Sequence, residues 1–451
     1  MLTDRRTAAR RRKLASLETE FTEWEKDSAD GTRPLRLHHS QIGRITGVLR
    51  KLRTEISDPG AATGASAKTL TDREVETTAL ELHRMWEFFR SKLAMRKVEW
   101  LQEYLNAMDD FAWACYKPAR DAAGAAGTID ATTLKEPPLL FFGGGWSPFA
   151  MSRDFPFEAE VVPNEPLRNA AFRNALKRLP VPVVGIPWFQ IGHLPDAVVV
   201  GHEVGHLVED DIGLRTTISS LIANAAAPAR QAAWRSWAGE IFGDFYGQLA
   251  TGPAFVGALA EAMADEPKFI ASEKINGPSW SDYPTTYLRM NVNYEMLRAQ
   301  NFTAAADALE TEWKTAYGST HSMQAFDADA KPIALALRDA KVVQLGGKTL
   351  NEVLSFTGLQ NDCDVAVKRL EVKAAPAPGN VRALVAAASV FFAKSPAAYD
   401  DAAQKRVIDV IKQSIPPGVR GSRSASAAQT AAEAALSDEL VKLLRGTAPQ
   451  P

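Results

Sequence analysis

The first third of the chain carries hydrophobic residues at the spacing of helices. Two stripes recur at intervals of three or four positions: Leu14, Leu17, Phe21 and Trp24, then Ile42, Ile45, Leu49 and Leu52. A longer pattern of the same kind starts at residue 82: Leu82, Trp86, Phe89, Leu93, Leu101, Leu105 and Met108. Such spacing gives each helix one apolar face that must be buried. The pattern predicts a helical hairpin or bundle, with a coiled-coil arm for a partner as the alternative.

Three short apolar segments in the middle of the chain are typical of strands. They are Pro137–Phe142, Phe155–Val162 and Val181–Pro187. The glycines at 143–145 follow the first segment and predict a turn. Helical patterns return beyond about residue 300. We therefore expect a mostly α protein, of the α+β kind, with a small sheet in its core.

We expect three regions along the chain. They are an N-terminal helical region at 1–125, a core region at 126–335 and a C-terminal helical region at 336–451. The helices of the first region should pack over or beside the core and limit access to it, because their apolar stripes need a buried surface.

The composition is that of an ordinary globular protein. The chain has 451 residues, of which 46% are hydrophobic and 24% are charged. A formal net charge of −2 gives no electrostatic reason to expect a nucleic-acid partner. No apolar run approaches the ~20 residues of a membrane span, and no signal peptide is recognisable. The two cysteines, Cys115 and Cys363, are far apart and make no disulfide framework. A cytoplasmic protein is therefore expected.

The segment after the third apolar run holds the clearest chemical signal. His202, Glu203 and His206 form the pattern H-E-x-x-H. Positions four apart on a helix share one face, so the two imidazoles can converge on one metal ion. Glu203 then projects towards the open side of the ion, where it can take a proton from a bound water molecule. The alternative is a pair of core histidines on a buried apolar helix.

A second pair of polar residues follows on another predicted helix. Glu240 lies 34 positions after His206 (240 − 206), and Asp244 lies four further on, so the two carboxylates share a face. A catalytic zinc site needs a third protein ligand beside two histidines. One carboxylate can bind the metal while the other accepts the free N–H of a ligating histidine. Acidic side chains with such apolar flanks are costly to bury unless they are paired or bound to metal.

The combination of H-E-x-x-H with E-x-x-x-D resembles the gluzincin zinc metallopeptidases. The resemblance covers residues from about 135 to about 295. It implies a Zn²⁺ site with these residues: His202, His206 and Glu240 as ligands, Glu203 as general base, and Asp244 behind His202. It also implies a core made of a small sheet, a zinc helix and a glutamate helix.

A segment that ends at Arg289 resembles a further element, the H-P-x-x-x-x-R of the CAAX-prenyl-type membrane peptidases and their bacterial heat-shock relatives. In those enzymes the histidine stabilises the oxyanion and the arginine supports the site. Pro284 and Arg289 match this spacing, but Tyr283 stands in the place of the histidine. A tyrosine hydroxyl can donate the same hydrogen bond, so Tyr283 together with Arg289 is expected to steady the developing oxyanion. Tyr287 and His321 are the second and third candidates for the donor. The membrane helices and lipidated substrates of those relatives are not carried over.

These patterns together predict a zinc-dependent hydrolase of peptide bonds, acting on a peptide or protein substrate. In gluzincins an edge strand of the sheet pairs with an extended substrate, and Pro137–Phe142 is the candidate for that strand. Two alternatives stay open: a helical interaction protein whose zinc site is inactive or structural, and a zinc amidase or deacylase. An intact Glu203 favours an enzyme, since a structural zinc site needs no general base.

Overall fold

The structure of the protein, a computed structural model, describes residues 2–57, 72–129, 135–145, 148–150, 181–278 and 280–414. Over these residues the chain is mostly helical with a small sheet, which confirms the predicted mostly α fold class. Among the helices described, none is long and apolar enough to cross a membrane.

The described residues form the following α-helices and strands, given in chain order. The first helices are α1 (Leu2–Ala29), α2 (His39–Ser57), α3 (Asp72–Ala94), α4 (Glu99–Ala125), α5 (Val200–Ile212), α6 (Arg215–Ala225), α7 (Gln231–Thr251) and α8 (Pro253–Ala262). The later helices are α9 (Pro267–Ser272), α10 (Thr286–Ala299), α11 (Thr303–Tyr317), α12 (Asp327–Asp339), α13 (Leu350–Val353), α14 (Gln360–Glu371), α15 (Val381–Lys394) and α16 (Asp401–Ser414). The strands are β1 (Leu139–Gly143), β2 (Phe149–Ala150), β3 (Val183–Pro187), β4 (Lys341–Val342) and β5 (Lys348–Thr349).

Helices α1, α2 and α3 form the N-terminal bundle that the sequence predicts. Their stripe residues are buried together, with Trp24 partly buried at the edge. Phe21 and Trp86 meet edge to face, with ring centroids 5.2 Å apart. The longer hydrophobic pattern is divided between α3 and α4, because the chain makes a 3₁₀ turn at Met95–Lys97 and is extended at Val98.

The main sheet has the strand order β1-β3-β2. β1 and β3 are parallel, and β2 is antiparallel to β3. β1 and β3 confirm the first and third predicted strands, whereas the segment Phe155–Val162 lies outside the described residues. β4 and β5 form a separate antiparallel pair.

The two faces of the main sheet belong to different hydrophobic cores, because successive side chains of a strand point to opposite faces. One face is buried with the N-terminal bundle: Leu139, Phe141 and Val183. The other face is buried in a larger core: Leu140, Phe142, Val184 and Ile186. Residues of α4, α5, α7 and the later helices complete the larger core. The bundle therefore packs beside the central core, and its role in limiting access stays a prediction.

The outer edge of β1 is occupied at Leu140 by a buried ion pair. The N–H of Leu140 donates to Asp109 Oδ1 at 2.9 Å, and the carbonyl of Leu140 accepts from Arg96 Nη2 at 2.7 Å. Arg96 also binds Asp109, at 2.8 Å, and both side chains are fully buried. At Leu140 this edge is therefore not free for a substrate, which contradicts the prediction that Pro137–Phe142 pairs with one along its whole length. The opposite edge of the sheet is β2.

Candidate metal centre

Glycines bring two helices, α5 and α7, into backbone contact. Gly201 and Gly205 of α5 face Gly243 and Gly247 of α7. A β-carbon built at Gly205 would lie 2.8 Å from Cβ of Tyr246, and one at Gly201 would lie 3.3 Å from Cα of Gly247. A side chain at Gly205 would thus force the helices apart. Their close approach is what lets polar side chains from both helices meet.

The three predicted ligands meet between α5 and α7. His202 and His206 lie one turn apart on α5, and their Nε2 atoms are 3.0 Å apart. Glu240 comes from α7, with Oε2 3.3 Å from His202 Nε2 and Oε1 3.5 Å from His206 Nε2. Within the described part of the chain, this is the one group of three or more histidine, cysteine or acidic residues whose ligand atoms lie within 4.8 Å of one another.

These distances fit a single metal ion. Ligand atoms at 2.0–2.1 Å from a tetrahedral ion stand about 3.3 Å from one another. Two imidazole nitrogens and one carboxylate oxygen also form a donor set that suits divalent transition metals. His202 is buried, and His206 and Glu240 are partly buried, a setting in which the carboxylate of Glu240 is stabilised by a cation beside it.

Asp244 lies behind His202, at the position that the resemblance implies. Its Oδ1 lies 2.8 Å from His202 Nδ1, and its side chain is fully buried. An ionised carboxylate only accepts hydrogen bonds, so Nδ1 of His202 carries a proton and Nε2 faces the metal position. Arg289 of α10 binds both oxygens of Asp244 at 2.7 Å. The same guanidinium reaches Glu240, with Nη2 3.3 Å from Oε2.

The charges around the imidazoles favour a cation at this point. Burial would lower the pKa of His202, but hydrogen bonds with Asp244 and Glu240 raise it to about 10. Burial would raise the pKa of Asp244, but Arg289 and His202 lower it to about 2. Burial would also raise the pKa of Glu240, but hydrogen bonds with His202 and His206 hold this pKa well below its usual range. Ionised carboxylates therefore stabilise either a proton or a metal ion at the histidine nitrogens.

Glu203 lies beside the ligands and contacts strand β2. Its carboxylate is buried, and Oε2 accepts a hydrogen bond from the N–H of Ala150 at 2.5 Å. Burial is the main cause that raises the pKa of Glu203. A raised pKa makes a carboxylate a stronger proton acceptor, as a general base needs.

Tyr283 lies next to Arg289, on the side that faces solvent. Its side chain is about half exposed, and Cζ of Arg289 lies 5.6 Å from the centre of its ring. The charge of Glu240 is the main cause that raises the pKa of Tyr283 to about 12, and Glu203 acts in the same direction. The phenol is therefore within electrostatic reach of both carboxylates and keeps its proton at neutral pH.

The second and third candidates for the oxyanion donor have other partners. The hydroxyl of Tyr287 donates to the carbonyl of Gly318 at 2.6 Å. His321 stacks on Tyr287, and its Nε2 lies 3.0 Å from Asp327. In the described part of the structure, neither side chain has a polar contact with the three ligand residues.

Two amides behind Asp244 were missed by the reading of the sequence. Asn293 donates to Asp244 Oδ2 at 2.9 Å, and Gln248 donates to Asn293 Oδ1 at 2.6 Å. The spacing of polar residues along the sequence does indicate these two amides. Gln248 continues the stripe of Glu240 and Asp244 at intervals of four, and Asn293 lies four positions after Arg289. Polar stripes on buried helices indicate polar partners, since buried polar groups are almost always hydrogen-bonded.

Comparisons of the chain with known protein families, with curated proteins and with solved structures give no match. The geometry and chemistry of the site are therefore the basis for assigning a function.

Proposed function

We propose that the protein is a gluzincin-type zinc hydrolase that cleaves peptide bonds. The observation that carries the proposal is the spacing of the ligand atoms of His202, His206 and Glu240. The two Nε2 atoms stand 3.0 Å apart, Oε2 of Glu240 stands 3.3 Å from Nε2 of His202, and its Oε1 stands 3.5 Å from Nε2 of His206. These distances are close to the roughly 3.3 Å between tetrahedral zinc ligands. A site with two histidines and one glutamate keeps a position open for water or substrate. The H-E-x-x-H and E-x-x-x-D motifs support the same ligand set.

Zinc at this position would acidify water and polarise the carbonyl of the substrate. Glu203 takes the proton of the attacking water and passes it to the departing amine. Burial raises the pKa of Glu203, which makes its carboxylate a stronger base for this proton. The N–H of Ala150 binds one carboxylate oxygen of Glu203, so the base has a defined orientation.

Tyr283 and Arg289 have different parts in the proposed reaction. Tyr283 donates a hydrogen bond to the oxygen that becomes negative when the carbonyl is attacked. Its pKa of about 12 means that the donor proton is present at neutral pH. Arg289 acts behind the ligands, because its hydrogen bonds fix Asp244, which in turn orients the ring of His202.

The proposed substrate is an extended peptide or an unfolded protein. With the edge of β1 occupied at Leu140, we propose that β2, at the opposite edge of the sheet, pairs with it through backbone groups other than the N–H of Ala150. Its residue Ala150 already touches the proposed base, Glu203. We place the protein in the cytoplasm, and its two cysteines, Cys115 and Cys363, which are free and buried, agree with a reducing compartment.

Hydrolysis assays on zinc-loaded protein test the proposal and separate it from the alternatives. Wild type should cleave casein, an unstructured protein. Glu203→Gln should retain zinc and cleave casein about 10²–10⁴-fold more slowly, because the base is lost and the ligands are not. Cleavage of N-acylated amino acids but not of casein would favour the amidase or deacylase. Zinc binding without cleavage of either substrate would favour a structural site.

A further inference from the structure

A row of three buried amides leads from Gln300, directly after the end of α10, to the candidate metal centre. Gln300 Nε2 donates to Gln248 Oε1 at 3.2 Å. Gln248 Nε2 donates to Asn293 Oδ1 at 2.6 Å. Asn293 Nδ2 donates to Asp244 Oδ2 at 2.9 Å. Asp244 in turn binds His202 Nδ1 at 2.8 Å.

We infer that Gln300, Gln248 and Asn293 are positioning residues, which hold the ring of His202 in the orientation that binds metal by fixing Asp244. This inference rests on the proposed metal site and goes beyond it, since none of the three amides touches a ligand.

The direction of this row follows from the charge of Asp244. A carboxylate can only accept, so Asn293 must present its NH₂ group to Asp244. Its oxygen then faces Gln248, which must donate in turn, and the oxygen of Gln248 faces Gln300. A flip of any one amide would set two acceptors or two donors against each other. All three amides therefore point their positive ends towards Asp244.

Burial makes this arrangement sensitive to change. Gln248 and Asn293 are fully buried, and Gln300 is nearly so. Asp244 has four polar contacts: two with Arg289, one with Asn293 and one with His202. Removal of Asn293 leaves Oδ2 with a single donor, and the carboxylate can then turn away from the His202 ring. In a buried site no water replaces the lost donor without rearrangement.

The hydrogen bonds between these amides also join α7 to α10, so they contribute to the packing of the two helices. A role in packing alone predicts a loss of stability with unchanged metal affinity. A positioning role predicts that metal affinity falls as well. The two roles are therefore separated by measuring zinc affinity and unfolding of the metal-free protein side by side.

The variants are Asn293→Leu and Gln248→Met, which keep the approximate shape and remove the hydrogen bonds. Gln41→Met is the matched control. Gln41 is a similarly buried amide of the N-terminal bundle, and it donates to the carbonyl of Pro137. Full-length protein is stripped of metal, and its zinc affinity is measured by competition with a chromophoric chelator. Urea unfolding of the metal-free forms gives the change in stability.

Asn293→Leu should weaken zinc binding about 10–100-fold, the usual effect of losing a partner behind a metal ligand. Gln248→Met should weaken it in the same direction by a smaller factor. Gln41→Met should lose stability and keep its zinc affinity. Wild-type affinity in both Asn293→Leu and Gln248→Met would overturn the inference and leave the proposed function standing. Failure of the wild type to bind zinc would overturn both. If Asn293→Leu does not fold, Gln248→Met and Gln300→Met decide the question by the same readout.

Discussion

The imidazole ring of His202 lies so close to Gly243 that a β-carbon at position 243 would stand 2.6 Å from Cε1 of the ring. Gly243 lies between Glu240 and Asp244 on α7. The helix therefore supplies a proposed metal ligand, a flat wall for the ring and the partner of its Nδ1. Glycine is needed here because the ring occupies the space that a side chain would take.

Gly243→Ala should displace the ring of His202 and weaken metal binding. Overpacking a buried position costs about 1–3 kcal/mol of stability, and here the displaced group is a ligand. Gly257→Ala on α8 is the control, since a β-carbon there has Leu309 Cδ2 as its nearest neighbour, at 4.0 Å. That change should be neutral or should stabilise the helix by up to about 1 kcal/mol. Unchanged zinc affinity in Gly243→Ala would show that the ring does not lie where the structure has it.

Tyr283→Phe should lower kcat for peptide hydrolysis by about 10²–10³-fold while zinc stays bound. The phenol is half exposed, its hydroxyl has no hydrogen bond to the three candidate ligands among the described residues, and phenylalanine keeps the ring beside Arg289, so the loss should fall on the transition state. Steady-state kinetics on a casein-derived peptide, with zinc content measured in the same samples, checks this outcome.

Tyr287→Phe is the matched variant for that experiment. Its hydroxyl binds the carbonyl of Gly318, so its loss should affect stability slightly and leave kcat unchanged. If Tyr287→Phe loses activity and Tyr283→Phe does not, the oxyanion donor is Tyr287 and the assignment to Tyr283 is wrong.

Asp329→Asn should destabilise the protein at neutral pH by about 1.5–3 kcal/mol, the usual worth of hydrogen bonds to a charged group. Asp329 accepts from Trp234 Nε1 at 2.8 Å and from Arg230 Nη2 at 2.7 Å. Burial works against ionisation, but these bonds and the N–H of Ala227 hold the pKa of Asp329 below its usual value. The charge therefore stabilises the fold above the unfolded pKa of about 3.9, and this stabilisation is lost as the pH falls through the lower folded value.

Urea unfolding at neutral pH and at about pH 3 measures the free energy of unfolding of wild type and of Asp329→Asn. The difference in this free energy between the two proteins should be smaller at the acidic pH. Asp339→Asn is the control, because the ion pair of Asp339 with Arg338 is exposed and should be worth less than about 1 kcal/mol. A difference that is the same at both pH values would mean that the charge of Asp329 is not what stabilises the fold.

The grouping of the candidate ligands could be predicted from the sequence because helical spacing is a local property. It places His202 with His206, and Glu240 with Asp244, without any knowledge of the fold. The contact between the two helices was signalled by the glycines at 201, 205, 243 and 247, whose four-residue spacing marks a face without side chains on each helix. The glycine spacing alone does not say which helix packs against which, so the contact could be inferred only once the two helices are known to be neighbours.

The strand edges could not be predicted in the same way. Pro137–Phe142 was expected to be free for a substrate, and the sequence near it gives no sign that Arg96 and Asp109 cover Leu140. Those residues lie 44 and 31 positions away from Leu140. The contact of Ala150 with Glu203 spans 53 positions and likewise depends on tertiary structure alone.

Zinc binding by variants of the ligands tests the central claim most directly. Wild-type protein, stripped of metal and reloaded, should bind a single zinc ion, and His206→Ala and Glu240→Ala should each bind it far more weakly, because each removes one of the three protein ligands. His83→Ala should bind like the wild type, since His83 lies in the N-terminal bundle with Nε2 3.1 Å from the carbonyl of Lys13. The account is contradicted if the wild type binds no zinc, or if His206→Ala and Glu240→Ala bind it with the affinity of the wild type.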